Sequence, residues 1–228
     1  MKISNIIKRL LDILLSFFIF IFSIPVLILT SFALLILEGR PIFYTSKRLC
    51  TPTKSIAIIK FRTMVRDAIS EKYRLNERFM QNGFLNIPLT CEVYTPIGRL
   101  LERTQIVEIL QIINIIMGDM SFVGNRPLPK SNIELLKQFP RWEDRFNSPA
   151  GITGISQIAG KYDIQPEQRL YLERMYSSIY QNANGNILLC DITIIWHTCA
   201  LLLSGKYLGY DKSLALLMRC GAITENQI

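Results

Sequence analysis

Histidine and paired cysteines are scarce in this 228-residue sequence. It contains one histidine, His197, and five cysteines, none of which forms a Cys-x-x-Cys pair. An odd number of unpaired cysteines indicates a reducing compartment and excludes a disulfide framework. A zinc site is not expected with so few ligands, and we interpret His197 as a residue on a helix face.

Acidic residues are nearly absent from the first 66 positions. This stretch holds ten Lys and Arg residues but only Asp12 and Glu38, whereas residues 67–228 hold sixteen charges of each sign. The net charge of +8 therefore lies around one apolar segment. A nucleic-acid-binding domain more often carries a basic stripe with interleaved aromatic residues. We expect membrane lipid or a phosphorylated substrate as the partner, and no nucleic acid.

The uncharged run Ile13–Leu37 is long enough to cross a bilayer, which takes roughly 20 helical residues. Pro25, two residues after Ser23, removes a backbone hydrogen bond and is expected to bend the helix. Basic residues flank the run on both sides, and a single span cannot keep both flanks in the cytoplasm. The sequence therefore predicts a proline-broken re-entrant helix over residues 13–37, with Ser23 and Pro25 at the bend. A bitopic span kinked at Pro25 is the alternative.

The rest of the chain predicts a mainly α fold with a small β component, an α+β class. Strands are expected at Pro41–Tyr44 and Ser55–Lys60, and helices at Val65–Met80, Ile106–Met117, 131–146, Gln165–Tyr180 and Ile187–Leu203. The last of these is expected to lie at the membrane face as an interfacial amphipathic helix. We divide the chain into a membrane anchor (1–40), a cytoplasmic domain (41–205) and a C-terminal tail of unknown role (206–228).

Two basic clusters are candidates for phosphate binding, one with Lys60 and Arg62 and the other with Arg126. Arginine offers a planar fork to phosphate oxygens and lysine a point charge. Glu108 is expected in the first turn of the helix between the clusters, where backbone N–H groups and the helix dipole favour anions. Solvated surface cations and a simple capping acid are the alternatives. We expect the phosphate-bearing ligand between the two clusters and this helix N-terminus.

Motifs along the chain resemble the bacterial sugar transferase family, the monotopic polyprenyl-phosphate phosphoglycosyl transferases. They cover about residues 5–205 and comprise Lys8-Arg9-x-x-Asp12, Lys60–Met64, Ile97-Gly98-Arg99, Glu108-x-x-Gln111-x-x-Asn114, Gly118–Pro127 and Gly151-Ile152-Thr153-Gly154-x-x-Gln157. The resemblance implies transfer of sugar-1-phosphate from a nucleoside-diphosphate sugar, usually a UDP-sugar, to polyprenol phosphate. This reaction at the cytoplasmic face of the bacterial inner membrane initiates glycan assembly.

The resemblance also implies roles for particular residues. Substrate and phosphate binding falls to Lys60, Arg62, Arg99, Asp119 and Arg126. Glu108 takes the role of a carboxylate that faces Mg²⁺ or acts as general acid or base. The family's nucleophilic Asp falls on Val107, which has no lone pair, so no phosphosugar–enzyme intermediate is expected. A catalytically impaired member is the alternative, acting as a binding subunit, as a homodimer or with a glycan-assembly partner.

Overall fold

The computed structural model describes residues 2–161, 163–182 and 186–222, and within these ranges the fold is mainly helical. Its α-helices are α1 (Ile3–Leu37), α2 (Leu75–Phe79), α3 (Pro96–Arg103), α4 (Ile112–Met117), α5 (Lys130–Leu136), α6 (Ile155–Ala159), α7 (Pro166–Gln181), α8 (Ile187–Ser204) and α9 (Tyr210–Arg219). Three 3₁₀ helices cover Glu71–Tyr73, Ile106–Gln111 and Trp142–Asn147. The predicted mainly α class with a small β component is confirmed.

Among the described residues, strands form three two-stranded sheets. The strands are β1 (Phe43–Leu49), β2 (Ser55–Phe61), β3 (Met80–Gln81), β4 (Phe84–Leu85), β5 (Ser121–Val123) and β6 (Gly151–Thr153). Antiparallel β1–β2 pairs Phe43 with Phe61 and confirms the predicted strand Ser55–Lys60. The predicted strand Pro41–Tyr44 is only partly correct, because β1 begins at Phe43 and continues to Leu49. The β3–β4 hairpin turns at Asn82-Gly83, whose positive φ angles suit a two-residue turn. The parallel β5–β6 pair brings the Gly124–Pro127 segment beside residues 150–153.

Helix α1 begins at Ile3, ten residues earlier than the predicted start. Ser23 is buried, and its hydroxyl donates to the carbonyl of Phe20 at 2.9 Å. Pro25 lies inside α1, and the residues on both sides of it remain helical. The predicted break is therefore not seen as a gap in the helix, and the re-entrant path stays a prediction.

Both ends of α1 contact the same domain. Near the N-terminus, Nζ of Lys8 lies 2.5 Å from Asp191 of α8. One turn later, the carboxylate of Asp12 accepts a hydrogen bond from the Ser121 hydroxyl at 2.7 Å. Near the C-terminus, Leu34 is fully buried against the domain. The residues of the Lys8-Arg9-x-x-Asp12 motif therefore attach the start of the anchor to β5 and α8.

Two helices in the described part of the chain, α1 and α8, are long and apolar enough to cross a membrane. Trp196 and Ile192 of α8 are exposed, while Asp191 and Ile194 are buried. One side of α8 thus packs on the domain and the other presents apolar side chains. Its position at the membrane face stays a prediction.

The largest apolar core lies among α6, α7, α8 and α9. Leu216 and Leu217 of α9 are buried in it, and the backbone N–H of Leu208 donates to the carbonyl of Ile158. The part of the predicted tail up to residue 222 is therefore packed against the domain. Residues 223–228 lie outside the described residues.

Two predicted helices are wrong. The stretch Val65–Met80 contains a 3₁₀ helix and α2, separated by Arg74 in the left-handed region at φ 48°. Its apolar residues pack around Val93 instead of forming one helical face. The stretch 131–146 ends its helix at Leu136, before Pro140 and the left-handed Arg141. Pro140 has no N–H to donate to the carbonyl of Leu136 four residues earlier, and its ring would clash with that carbonyl, so a helix cannot continue through it.

Candidate functional site

Three of the predicted site residues meet at one point. Lys60 lies on β2, Glu108 in the 3₁₀ helix after α3, and Arg126 shortly after β5. Nζ of Lys60 lies 2.7 Å from Oε1 of Glu108, and Nη2 of Arg126 lies 2.9 Å from the same oxygen. We call Lys60, Glu108 and Arg126 the charged triad. Each of the three side chains is partly open to solvent.

Local structure sets the position of each triad member. Gln105, at φ 58°, starts the 3₁₀ helix that packs against β2. The amide nitrogen of Gln111 donates to Oε2 of Glu108, so both carboxylate oxygens are bonded. Nη1 of Arg126 donates to the carbonyl of Ile152 on β6 at 2.9 Å. The β5–β6 pairing therefore determines where the guanidinium lies.

The predicted helix Ile106–Met117 is split. Glu108 lies in its 3₁₀ part, and α-helical hydrogen bonding begins only at Ile112, four residues later. The predicted end is correct, because Gly118 caps α4 at φ 92°. Glu108 lies in the first turn of the 3₁₀ helix, as predicted. The two cations contact its carboxylate directly, at 2.7 Å and 2.9 Å from Oε1.

Electrostatics keep Glu108 ionised. Burial alone would raise the pKa of its carboxyl, but the charges of Arg126 and Lys60 outweigh burial and lower the pKa to about 2. Burial is also the largest influence on Lys60 and lowers the pKa of its ammonium, although the carboxylate of Glu108 opposes that shift. A carboxyl group with this pKa is almost never protonated at neutral pH. The geometry favours Glu108 as an anion over Glu108 as a proton donor.

Val107 belongs to the apolar core and not to the charged triad. Its side chain is 1% exposed and shares a buried cluster with Leu34 of α1, Phe61 of β2 and Leu101 of α3. Consecutive residues of a 3₁₀ helix point about 120° apart. Val107 and its neighbour Glu108 therefore point in different directions.

The other predicted site residues lie elsewhere. Arg62 donates to the carbonyls of Glu38 and Gly39, because β2 ends before it and the carboxyl end of α1 attracts a cation. Arg99 donates to the carbonyl of Cys91 at 3.4 Å. Asp119 pairs with Lys54 at 2.7 Å. Arg62 therefore does not join the triad, and the ligand position between Lys60, Arg62, Arg126 and the helix N-terminus stays a prediction.

The sequence pattern did not indicate a buried network behind Arg126. Nη2 of Arg145 donates to the carbonyl of Arg126 at 2.9 Å, and Nε of Arg145 lies 2.7 Å from Glu173. Nδ2 of Asn125 lies within 3.1 Å of two carbonyl and two hydroxyl oxygens. The one sequence feature that pointed to this network was the i, i+4 spacing of Arg169 and Glu173. That spacing more often indicates an ion pair on the exposed face of a helix.

The charged triad alone does not form a magnesium site. Magnesium needs octahedral oxygen coordination and usually takes one or two carboxylates together with substrate phosphates and water. Both oxygens of Glu108 already accept hydrogen bonds. Nor do three His, Cys, Asp or Glu side chains cluster anywhere in residues 2–161, 163–182 and 186–222. The triad itself contains one carboxylate, so further oxygen ligands would have to come from a bound diphosphate and water.

The fold and motifs match one protein family. The family described as bacterial sugar transferase matches residues 3–205, which include α1 through α8. The chain belongs to the bacterial sugar transferase family. The match ends before α9, whose packing against α6 and α7 lies outside it.

Several relatives share most of this length. The exopolysaccharide production protein ExoY of Sinorhizobium fredii is 28% identical over 86% of this chain and 85% of its own. The undecaprenyl-phosphate galactose phosphotransferase of Salmonella typhimurium is 26% identical over 88% of this chain and 41% of its own. The UDP-glucose:undecaprenyl-phosphate glucose-1-phosphate transferase of Escherichia coli is 30% identical over 69% of this chain and 32% of its own. The last two relatives are thus more than twice as long as the region they share with this chain.

Proposed function

We propose that this protein transfers sugar-1-phosphate from a nucleotide sugar, first of all a UDP-sugar, to polyprenol phosphate. The family and the relatives named for undecaprenyl-phosphate sugar phosphotransfer support this class of reaction. The observation that carries the proposal is the charged triad beside the anchor. Phe61 and Val107 directly follow and precede triad members, and both pack against Leu34 of α1. Two cations thus converge where a membrane helix meets the domain.

In the proposed reaction an oxygen of polyprenol phosphate attacks the β-phosphorus of the nucleotide sugar. The bond from that phosphorus to the bridging oxygen breaks, and the nucleoside monophosphate leaves with the electron pair. The sugar phosphate then forms a prenyl diphosphate with the acceptor. Lys60 and Arg126 bind phosphate oxygens and neutralise the charge that develops during in-line transfer. Direct transfer needs no enzyme nucleophile, which Val107 does not provide.

The proposed place is the cytoplasmic face of the inner membrane, with α1 entering and leaving the bilayer on that side. The contacts of Lys8 and Leu34 with one domain support this path, because they keep both ends of α1 on one side. The basic flanks give the same orientation. Pro25, inside the uncharged stretch, remains the proposed place of the bend.

A second candidate is a family member that binds its ligands but does not turn them over. Val107 stands where the resemblance puts the nucleophile, and its side chain is buried among apolar residues. Where the nucleophile and the other catalytic groups depend on one another, loss of the nucleophile lowers turnover by about 10⁶-fold. Such a protein would serve as a binding or partner subunit in glycan assembly, alone or as a homodimer.

Magnesium is proposed as a cofactor that binds together with the nucleotide sugar. The carboxylate of Glu108 would be the ligand that the chain contributes. The proposed transfer to polyprenol phosphate does not depend on the ion at any step. We expect UDP-sugar affinity to rise with added Mg²⁺ and to fall with a chelator, measured by calorimetry. Equal affinity in both buffers would remove magnesium from the proposal.

The test of the proposed function has two readouts. Purified protein in detergent is incubated with polyprenol phosphate and a panel of radiolabelled UDP-sugars, and transfer to lipid is measured. Binding is measured separately by calorimetry, in which Arg126→Ala should lose about 1.5–3 kcal/mol of UDP-sugar affinity. Arg78→Ala is the matched control, because this exposed arginine pairs with Glu92 on the surface.

Transfer to lipid supports the enzyme, and binding without transfer supports the second candidate. If Arg126→Ala and Arg78→Ala bind as tightly as the unaltered protein, Arg126 does not belong to the site. If no nucleotide sugar binds, both candidates are wrong.

A further inference from the structure

Three charged side chains lie in the interior of the domain behind Arg126. Nε of Arg145 lies 2.7 Å from one carboxylate oxygen of Glu173, and Nε of Arg169 lies 3.1 Å from the other. The side chains of Arg145, Glu173 and Arg169 are 1%, 0% and 3% exposed. We call these three residues the buried ion cluster. Unlike the charged triad, the cluster presents no surface to a ligand.

Stability alone does not account for charges in this place. Taking ions out of water carries a desolvation cost that can exceed the attraction between them. Apolar residues of similar volume, exchanged for all members of such a cluster, often leave the protein equally stable or more stable. Loss of a single member is different, because it leaves an uncompensated charge in the interior. The relevant question is therefore what the charged atoms do that apolar side chains would not.

The cluster bonds to the main chain and side chain just where the chain reaches Arg126. Nη2 of Arg145 donates to the carbonyl of Arg126 at 2.9 Å. In the preceding residue, Nδ2 of Asn125 donates to the carbonyl of Arg145 at 2.8 Å and to the carbonyl of Glu173 at 2.9 Å. Both members of the Arg145–Glu173 ion pair thus hold residues 125 and 126. An apolar side chain at position 145 could not donate to the carbonyl of Arg126.

The far end of the Arg126 side chain is bonded as well. Its Nη2 lies 2.9 Å from Oε1 of Glu108, and its Nη1 donates to the carbonyl of Ile152 at 2.9 Å. The guanidinium is therefore fixed both through its own main chain and through its nitrogen atoms. A cation held in this way loses little conformational freedom when it binds phosphate, whereas a mobile one has to be ordered first.

We propose that the buried ion cluster positions Arg126 for phosphate binding, with Arg145 as the positioning residue. The inference rests on the proposed function for the identity of the ligand, a nucleotide sugar. The cluster acts through the carbonyl of Arg126 and does not touch the ligand. It therefore raises the affinity for a nucleoside diphosphate while its net contribution to stability is small.

The test exchanges the whole cluster for apolar residues in the full-length protein in detergent. The variant Arg145→Met, Arg169→Met, Glu173→Leu, which we call the apolar triple, leaves none of the three charges behind. Its melting temperature should stay within about 5 °C of the unaltered protein or rise. Its affinity for UDP, measured by calorimetry, should fall about 3- to 10-fold, because the guanidinium at position 126 then has to be ordered on binding.

Arg145→Lys keeps a cation beside Glu173 and tests the bond to Arg126 by itself. A lysine ammonium is a point charge on a flexible stem and does not reproduce the fixed fork of a guanidinium. We expect a similar loss of UDP affinity and a higher melting temperature than for Arg145→Met, which leaves the carboxylate with one cation fewer. Arg141→Met is the matched control, because this arginine pairs with Asp144 at the surface, and it should bind UDP normally.

A second readout needs no ligand. Arg126 and Glu108 contact each other, so the losses of thermal stability caused by Arg126→Ala and by Glu108→Gln should not add in the unaltered protein. This coupling should weaken in the apolar triple and in Arg145→Lys, where the guanidinium is no longer held. A cluster that served stability alone would leave the coupling unchanged in every folded variant.

Full UDP affinity in a folded apolar triple would overturn the inference and leave the proposed function standing. If the apolar triple unfolds, Arg145→Lys replaces it, and normal UDP affinity of that variant would overturn the inference in the same way. If the unaltered protein does not bind UDP, the proposed function fails. The coupling between Arg126 and Glu108 then tests the inference by itself, and an unchanged coupling in Arg145→Lys would overturn it.

Discussion

Placing an acid at position 107 tests the chemistry and the packing together. The resemblance implies that Val107→Asp restores the family's nucleophile if the rest of the pocket is intact. The structure predicts a different result, because the side chain at this position packs against Leu34, Phe61 and Leu101. An aspartate there would lie in apolar surroundings and would not share the environment of Glu108.

The expected cost of Val107→Asp is large. Full burial of a valine side chain contributes roughly 1.5–3 kcal/mol, and this contribution is lost. A carboxyl group without a partner in the same place adds a desolvation cost of similar size, so we expect a loss of about 3–5 kcal/mol. For a chain of this length each 1 kcal/mol lowers the melting temperature by about 2–4 °C. The melting temperature should therefore fall by roughly 6–20 °C.

The assay is thermal unfolding in detergent at pH 8 and pH 5, with Val107→Asn as the control of matched shape. Burial raises the pKa of the introduced acid in the folded state, so its charge penalises folding at high pH and the penalty fades as pH falls. Val107→Asp should be less stable than Val107→Asn at pH 8, and the difference should shrink at pH 5. Equal stability at pH 8, together with a sugar-phosphate adduct by intact-protein mass spectrometry, would refute this reasoning.

Three further predictions concern the triad and the anchor. The pKa of Glu108 is about 2 in the folded protein, against an ordinary value of 4.5. The ionised carboxylate therefore contributes up to about 3 kcal/mol to the free energy of unfolding above pH 4.5, and this contribution is lost as the pH falls towards 2. Acid unfolding of Glu108→Gln should lack this pH-dependent loss of stability. Lys8→Met should lower the free energy of unfolding by about 3–5 kcal/mol, because the buried Asp191 loses its cation and keeps only the hydrogen bond from Tyr176. An unchanged melting temperature would show that the ion pair is dispensable. Cysteines introduced at residues 2–9 and 40–60 should both resist an impermeant reagent outside intact cells, whereas labelling of residues 2–9 alone would indicate a single span.

Local patterns predicted the parts of the fold that local physics decides. Ile56 and Ile58 alternate with exposed residues along β2, and this period of two marks a half-buried strand. Gly118 ends α4 in the left-handed region, which is an ordinary helix stop. Pro166 opens α7 at a position where its missing N–H is not needed. Pro140 was an equally local signal, and the predicted helix 131–146 ran through it.

The candidate site depended on tertiary contacts that no spacing shows. Lys60 and Arg62 stand two residues apart, which would put both on one face of a continuing strand. The strand ends between them, so Lys60 turns to Glu108 while Arg62 turns to the end of α1. The two basic clusters and the helix start indicated Lys60, Glu108 and Arg126 as candidates, and the family motifs strengthened that choice. From the residue types alone, Lys60, which pairs with Glu108, could not be distinguished from Arg62, which does not.

The anchor explains why such contacts were hard to foresee, because α1 reverses the usual amphipathic pattern. Polar and charged residues dominate its buried positions, including Asn5, Lys8, Asp12 and Ser16, while most of its large apolar side chains are exposed. In water this arrangement would expose a long apolar surface and would not be stable. In lipid it is favourable, because the bilayer takes the apolar face and the domain satisfies the polar one. The two faces of α1 therefore suit different surroundings, and a pattern that assumes one apolar face packed on a core does not anticipate its polar contacts with the domain.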